Sequence, residues 1–447
     1  MSSRTDRLLR IALHPRVRQR WQVRIVLWLA AAAAGMAVVA FAGLADIALT
    51  SFERLHARWP WSPLLLTPAI GMAVVWATRR FVPGAAGSGI PQVVAATRLA
   101  ALDRPVSALL SLRIALGKIV LGSMALAGGF SAGREGPSVQ IAAAIMLHAK
   151  RFLPRGRSLR ASDLIIAGGA AGIAAAFNTP LAGIVFAVEE LGRRLEARTS
   201  GVLVSTIVIA GLVAIALEGN YTYFGQLTVR DLGAKVALPT LLCGLLCGVL
   251  GGGFSWLLLW PLRRPDWPLW AWRKRHAVWF AGGCGLVVAA LGVASGGSSF
   301  GSGYHVTSEA IAGQLVLDGT APLTRFVATL VTYFSGIPGG IFAPALAVGA
   351  ALGADLAAWP GLGIDTHAWM ALCMAGFLAA VTQSPITAAI IVMEMVNGHQ
   401  MVISLMAASF LAKTVSAQFG PELYQSLSKG MGGEPPDRQD ARANASN

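Results

Sequence analysis

From Ile25 to Phe419 the chain is a succession of apolar runs with no soluble domain between them, and glycine and proline break those runs repeatedly. Of its 447 residues 55% are hydrophobic and 13% are charged, well under the roughly 25% charge of a soluble domain. A polytopic membrane protein follows, with room for about ten or more spans at about 20 residues each. The 51 glycines and 22 prolines lie largely inside the apolar runs. Irregular backbone is tolerated at membrane depth only where it packs on protein or lines a cavity. An all-α membrane protein of broken helices is therefore expected.

The net charge of +15 fits topology better than nucleic-acid binding. Arg4, Arg7, Arg10, Arg16, Arg18, Arg20 and Arg24 precede the first long apolar run, Ile25 to Leu49. Positive charge flanking a span marks the cytoplasmic side, so residues 1–24 are expected in the cytoplasm, against anionic membrane lipid. Lys150, Arg151, Arg155, Arg157 and Arg160, and Arg263, Arg264, Arg273, Lys274 and Arg275, are further candidates for the inner face. The first run is too long for a signal peptide and lacks a small-residue cleavage site. Residues 25–427 read as the transmembrane domain, and 428–447 as a polar, disordered cytoplasmic tail. Cys243 and Cys247 share a helix face, but with no histidine or carboxylate beside them they suit packing rather than a metal. The seven histidines show no zinc spacing, and neither a disulfide framework nor a cofactor is implied.

The chain repeats itself. Pro180 and Glu189 are nine apart, as are Pro385 and Glu394, with the two prolines 205 positions apart. Gly133-Arg134-Glu135-Gly136-Pro137 matches Gly340-Ile341-Phe342-Ala343-Pro344 at an offset of 207, and Gly87-Ser88-Gly89 matches Gly301-Ser302-Gly303 at 214. Internal repeats with breaks in matching places mark secondary transporters, with the site at the repeat interface. The repeats are expected at about 60–218 and 235–420; the offsets alone do not show that they are inverted.

Glu135 is the sharpest residue. An ionisable group at membrane depth costs roughly 2.5–3.5 kcal/mol on insertion scales and is usually paired, cavity-lining or proton-carrying. Pro137 signals a helix start, so the carboxylate is expected at a helix N-terminus, where an anion would bind. The plainer alternative is a local pair with Arg134, although neighbours on a helix point different ways. Ser88 offers a hydroxyl just before Pro91; the plainer reading is a serine N-cap. Ile341 and Phe342 offer backbone amides if the next helix begins at Ala343 or Pro344. Tyr424 suits an interfacial belt by default. Glu189-Glu190 reads either as a solvated pair at a helix end or as neighbours that raise each other's proton affinity and so relay protons. Gly297-Ser298-Ser299-Phe300-Gly301 fits the nucleophile elbow of hydrolases, but without a strand pattern or a His/Asp pair an intramembrane hydrolase is remote.

Taken together and in this order, Gly87-Ser88-Gly89-Ile90-Pro91, Gly133–Pro137, the Ala171–Glu190 block, Gly340–Pro344 and Tyr424 resemble the CLC family of chloride channels and chloride/proton antiporters. The resemblance implies two inverted repeats of tilted and broken helices, assembled as a homodimer with an anion pathway in each subunit. It implies that Ser88, Tyr424 and the amides of Ile341 and Phe342 hold a central chloride. Glu135 would be the external gate, with the amides around Arg134 to Gly136 forming an outer anion site. Lys118, seventeen residues before Glu135, matches a buried family lysine that adds positive potential; snorkelling is its plainer role. Glu190 would be the internal proton acceptor. With Glu135 and Glu190 both present, antiport is favoured over a passive chloride channel, in a bacterial inner (plasma) membrane with both termini cytoplasmic. Two departures stand out: Gln92 replaces a common acidic residue, and Ile337 replaces a smaller one and is expected to narrow the access path.

Overall fold

The computed structural model describes residues 15–154, 159–192, 197–219, 222–226, 233–359 and 364–431. Arg4, Arg7, Arg10, Arg155, Arg157 and nearly all of the expected tail lie outside them. Among the described residues every regular element is helical, with two isolated backbone bridges.

The chain opens with α1 (Pro15–Arg58), 44 residues long. At 1.5 Å per residue that is about 66 Å, roughly twice the hydrocarbon core of a bilayer. There follow α2 (Pro63–Phe81), α3 (Ile90–Ala101), α4 (Leu112–Ala127), α5 (Glu135–Ala149), α6 (Ala161–Phe177), α7 (Pro180–Phe186) and α8 (Ala197–Glu218). Next come α9 (Ala237–Arg263) and α10 (Pro268–Arg275). The second series is α11 (Ala277–Ala294), α12 (Tyr304–Ile311), α13 (Ala321–Ser335), α14 (Phe342–Ala357), α15 (Thr366–Thr382), α16 (Pro385–Met395) and α17 (Val402–Ser416), closed by α18 (Leu423–Ser428). Helices α2 to α8 recur in order as α11 to α17.

Contacts between mates show the inversion. Gly133 donates to the Gly340 carbonyl at 2.7 Å and Gly340 donates back to Gly133 at 2.8 Å. These are equivalent positions joined in an antiparallel bridge, so a local two-fold passes between them. The same reciprocity holds at the second motif. The Glu189 carboxylate accepts the amides of Ile386 and Thr387 at 3.2 and 2.7 Å. Its counterpart Glu394 accepts those of Leu181 and Ala182 at 3.3 and 2.8 Å. Each repeat thus caps the other's proline-started helix with a carboxylate at its positive end.

Only four described helices are long and apolar enough to cross a membrane alone: Val17–Arg58, Gly201–Glu218, Ala237–Arg263 and Ala277–Ala294. The motif helices are shorter: α3 has 12 residues, α5 15, α14 16 and α16 11. Regular spans of about 20 residues are therefore the exception, because the helices that start at the motif prolines begin inside the protein. Small residues let the buried pairs close up. A Cβ on Gly172 of α6 would meet the Ser138 carbonyl of α5 at 2.6 Å, and one on Gly349 of α14 the Cys373 carbonyl of α15 at 2.5 Å. All four cysteines are free and buried, and Cys243 packs its sulfur 3.1 Å from that of Cys373.

Candidate ion-binding site

Three helix starts converge at the middle of the fold. At the first, α3 begins at Ile90 with Pro91 in its first turn, as the sequence suggests. The N-cap is Gly89 rather than Ser88, with φ +109°. A side chain there is barred twice over, since its Cβ would also lie 2.5 Å from the Gly136 carbonyl of α5. The capping function passes to Gln92, which accepts the Gly89 amide at 3.0 Å and donates to the Ala86 carbonyl at 2.5 Å. An acidic residue could make only the first of these bonds. The plain serine-cap reading fails: the Ser88 hydroxyl is buried and makes no hydrogen bond among the described residues. It faces Gly136, where a Cβ would stand 2.5 Å from its oxygen.

At the second start, α5 begins on Glu135 itself, which is fully buried. The carboxylate folds back over Gly133, where a Cβ would collide with Oε2 and lie 3.1 Å from Pro344 of α14. It therefore sits between the positive ends of α5 and α14, which the Gly133–Gly340 bridge brings together. Oε1 accepts the Tyr223 phenol at 3.2 Å. Oε2 has no hydrogen bond of good geometry, although the amides of Glu135 and Ala343 lie beside it. The local Arg134–Glu135 pair does not form. Arg134 turns to α1, donating to Asp46 at 2.7 Å and to the Ala42 carbonyl at 3.3 Å, while its guanidinium lies over the rings of Tyr223 and Tyr304.

At the third, α14 begins at Phe342, one residue before the expected start, with Ile341 as its N-cap. The amides of both residues still belong to the unsatisfied first turn. The Phe342 ring stacks on Tyr424 with centroids 6.2 Å apart and planes 8° from parallel. Tyr424 is fully buried in the protein rather than exposed as an interfacial tyrosine would be. Its hydroxyl makes no hydrogen bond of good geometry among the described residues, although the Ser88 hydroxyl lies beside it; Glu190, Tyr333 and Glu135 are its other polar neighbours.

The two neighbouring glutamates make different contacts. Glu189 caps α16. Glu190, 4% exposed, accepts the Ser384 hydroxyl at 2.5 Å, and its carbonyl accepts the Gln425 side chain, next to Tyr424, at 3.3 Å. Both lie in the π-helical turn Ala187–Gly192, where neighbouring side chains point different ways. Lys118 does not snorkel: it is fully buried and donates to the carbonyls of Ala85 and Gly87 at 2.8 and 2.6 Å, fixing the loop that carries Ser88. Ile337 is buried, in one apolar cluster with Val82, Ala85 and Ile114. Ser299 of the hydrolase-like motif is buried and accepts the Ser295 hydroxyl.

Tyr223 is the residue that sequence reasoning misses. It lies between the repeats in a run of aromatics, 88 positions from Glu135, and no periodicity links the two. Its ring is fixed edge-on by Phe177 and Phe224, so Tyr223→Phe removes little but the donor. If Glu135 gates the path, losing a bond to the ionised carboxylate makes that form easier to protonate. Arg134, the charged side chain beside this carboxylate, stays as it is. The midpoint of any acid activation of flux should move to higher pH by on the order of one unit, the equivalent of one charge-assisted bond. A flux–pH profile of the variant checks this.

These features define a class: a membrane protein of two inverted helical repeats whose broken helices aim their positive ends at buried hydroxyls and a buried carboxylate. The chain belongs to the voltage gated chloride channel family, whose pattern matches residues 70–417. It is 30% identical over 404 residues to the H(+)/Cl(-) exchange transporter ClcA of Klebsiella pneumoniae (strain 342), covering 84% of this chain and 80% of that one. To the ClcA exchanger of Yersinia pestis bv. Antiqua (strain Angola) it is 31% identical over 416 residues, covering 87% and 80%. Among solved structures, a slow cyanobacterial Cl-/H+ antiporter superposes with a TM-score of 0.79 at 23% identity, over 94% of this chain and 98% of the other. A CLC-type fluoride/proton antiporter gives 0.73 at 24%, over 90% and 96%.

Proposed function

We propose that this protein is a secondary active transporter that exchanges chloride for protons. One observation carries the reading: Ser88 and Tyr424 present buried, unpartnered hydroxyls beside a carboxylate held where two helix N-termini meet. A buried donor left without an acceptor costs about 1–3 kcal/mol, so the donors call for an anion. The exchange activity named for the ClcA relatives supports the choice of chloride and protons.

In this reading the Ser88 and Tyr424 hydroxyls and the amides of Ile341 and Phe342 hold the central chloride. Ionised Glu135 occupies the next anion position outward, near the amides of Arg134 to Gly136. Protonation removes the charge that holds it against the positive ends of α5 and α14, and chloride takes its place. Glu190, buried at the Tyr424 side, receives protons from the cytoplasm; Lys118 anchors the Ser88 loop and adds positive potential. Because carboxylate and chloride compete for one position, anion movement in one direction requires proton movement in the other. The basic flank of α1 supports cytoplasmic termini in a bacterial inner membrane, and the resemblance supports a homodimer in lipid.

The test is uptake of radioactive chloride into proteoliposomes under an imposed proton gradient, with voltage clamped. Accumulation above the outside concentration is expected; simple equilibration contradicts exchange. Tyr424→Ala should weaken chloride binding by about tenfold, as expected for loss of one donor to a charged ligand, measurable by calorimetry.

A further inference from the structure

Arg325 is a charge without a partner. It lies on α13 and is 2% exposed, yet Nη1 and Nη2 make no hydrogen bond among the described residues. A guanidinium stays protonated in proteins, and a buried unpaired charge is among the costliest groups a fold can hold. Its surroundings make matters worse. A Cβ on Gly303, the N-cap of α12, would collide with Nη1 and stand 2.9 Å from the guanidinium carbon. The cation is therefore pressed against the positive end of the eight-residue helix α12, where like charges repel. The methyl of Ala347, on α14, would lie 2.5 Å from that same Cβ, so apolar surface closes that side.

The repeat explains how such a group came to be there. Arg325 follows Lys118 by 207 positions, the offset that relates Gly340 to Gly133, and Ser302 follows Ser88 by 214. Arg325, Ser302 and α12 therefore mirror Lys118, Ser88 and α3. In the first repeat the cation is satisfied by the carbonyls of Ala85 and Gly87. In the second, among the described residues, no carbonyl takes that place. The Ser302 hydroxyl accepts the Tyr304 amide at 3.3 Å, which leaves its proton free to donate.

We infer that Arg325, the Ser302 hydroxyl and the N-terminus of α12 form a second anion site, the two-fold counterpart of the Ser88 site, taking a small monovalent anion. Its neighbours place it toward the end of α1 opposite the basic flank. Gly301 packs on Leu49, and the adjacent Tyr304 ring meets Tyr223, the donor to Glu135. An anion arriving from that end is held here before it reaches the gate. The inference rests on the chloride reading, and its test separates the two.

The test is anomalous diffraction from crystals of the full chain in sodium bromide, for the native protein and for Arg325→Gln, Arg325→Lys and Ser302→Ala. Native crystals should show bromide at both the Arg325 and the Ser88–Tyr424 positions. Arg325→Gln should lose the first peak and keep the second; Arg325→Lys, which preserves charge if the glutamine variant does not fold, should keep it at reduced occupancy. In liposomes, Ser302→Ala should raise the half-saturating chloride concentration on that side several-fold and leave it unchanged on the other. Bromide at Ser88–Tyr424 with none at Arg325 overturns this inference and leaves the exchange reading standing. Bromide at neither position overturns both.

Discussion

Glu135→Ala is expected to leave chloride flux running while proton movement falls by on the order of 100-fold or more, the scale of losing a positioned proton-transfer group. The geometry gives the reason. The carboxylate lies over Gly133, in the seam between α5 and α14, so on the proposed exchange mechanism deleting it opens the anion position and removes the proton carrier together. Glu135→Gln separates the two effects, because the amide resembles the protonated acid: chloride passes and protons do not. Parallel recordings of chloride efflux and pH in liposomes check both variants. Proton flux that survives Glu135→Ala removes this residue from the gate.

Glu190→Val is the second large effect. The glutamate is buried, its carboxylate accepting the Ser384 hydroxyl and its carbonyl the side chain of Gln425, the residue after Tyr424. Chloride should still move, now without protons, and proton flux should again fall on the order of 100-fold. Glu189→Val serves as a contrast. Its carboxylate caps α16, so its loss should cost stability, roughly 1 kcal/mol as for other lost caps, and leave the proton-to-chloride ratio unchanged. A ratio altered by Glu189→Val and untouched by Glu190→Val contradicts this division of labour.

Much of this was legible in the sequence, for local reasons. Pro91, Pro137, Pro180, Pro344 and Pro385 mark helix starts because a proline suits a first turn, and α3, α5, α7, α14 and α16 begin at or just before them. The offsets of 205 to 214 register two copies of one helix order. What the sequence hides is set by contacts with no periodic signal. Arg134 passes over its neighbour Glu135 for Asp46, 88 positions away on α1. Ser88 is freed from capping because Gly89 and Gln92 do that work. Which of Glu189 and Glu190 reaches the amides of α16 and which the Ser384 hydroxyl is set by how the two repeats pack. Arg325 had a readable signal, an arginine in an apolar run at the offset of Lys118, but its lack of a partner shows only in three dimensions.

The measurement that tests the central claim most directly is proton movement in proteoliposomes under an imposed chloride gradient, with potassium and valinomycin clamping the voltage and a pH-sensitive dye reporting. Chloride running down its gradient should drive protons the opposite way, against their own, and Glu135→Ala liposomes should show none of it. Chloride flux with no uphill proton movement would mean a passive channel, with Glu190 reduced to a structural residue.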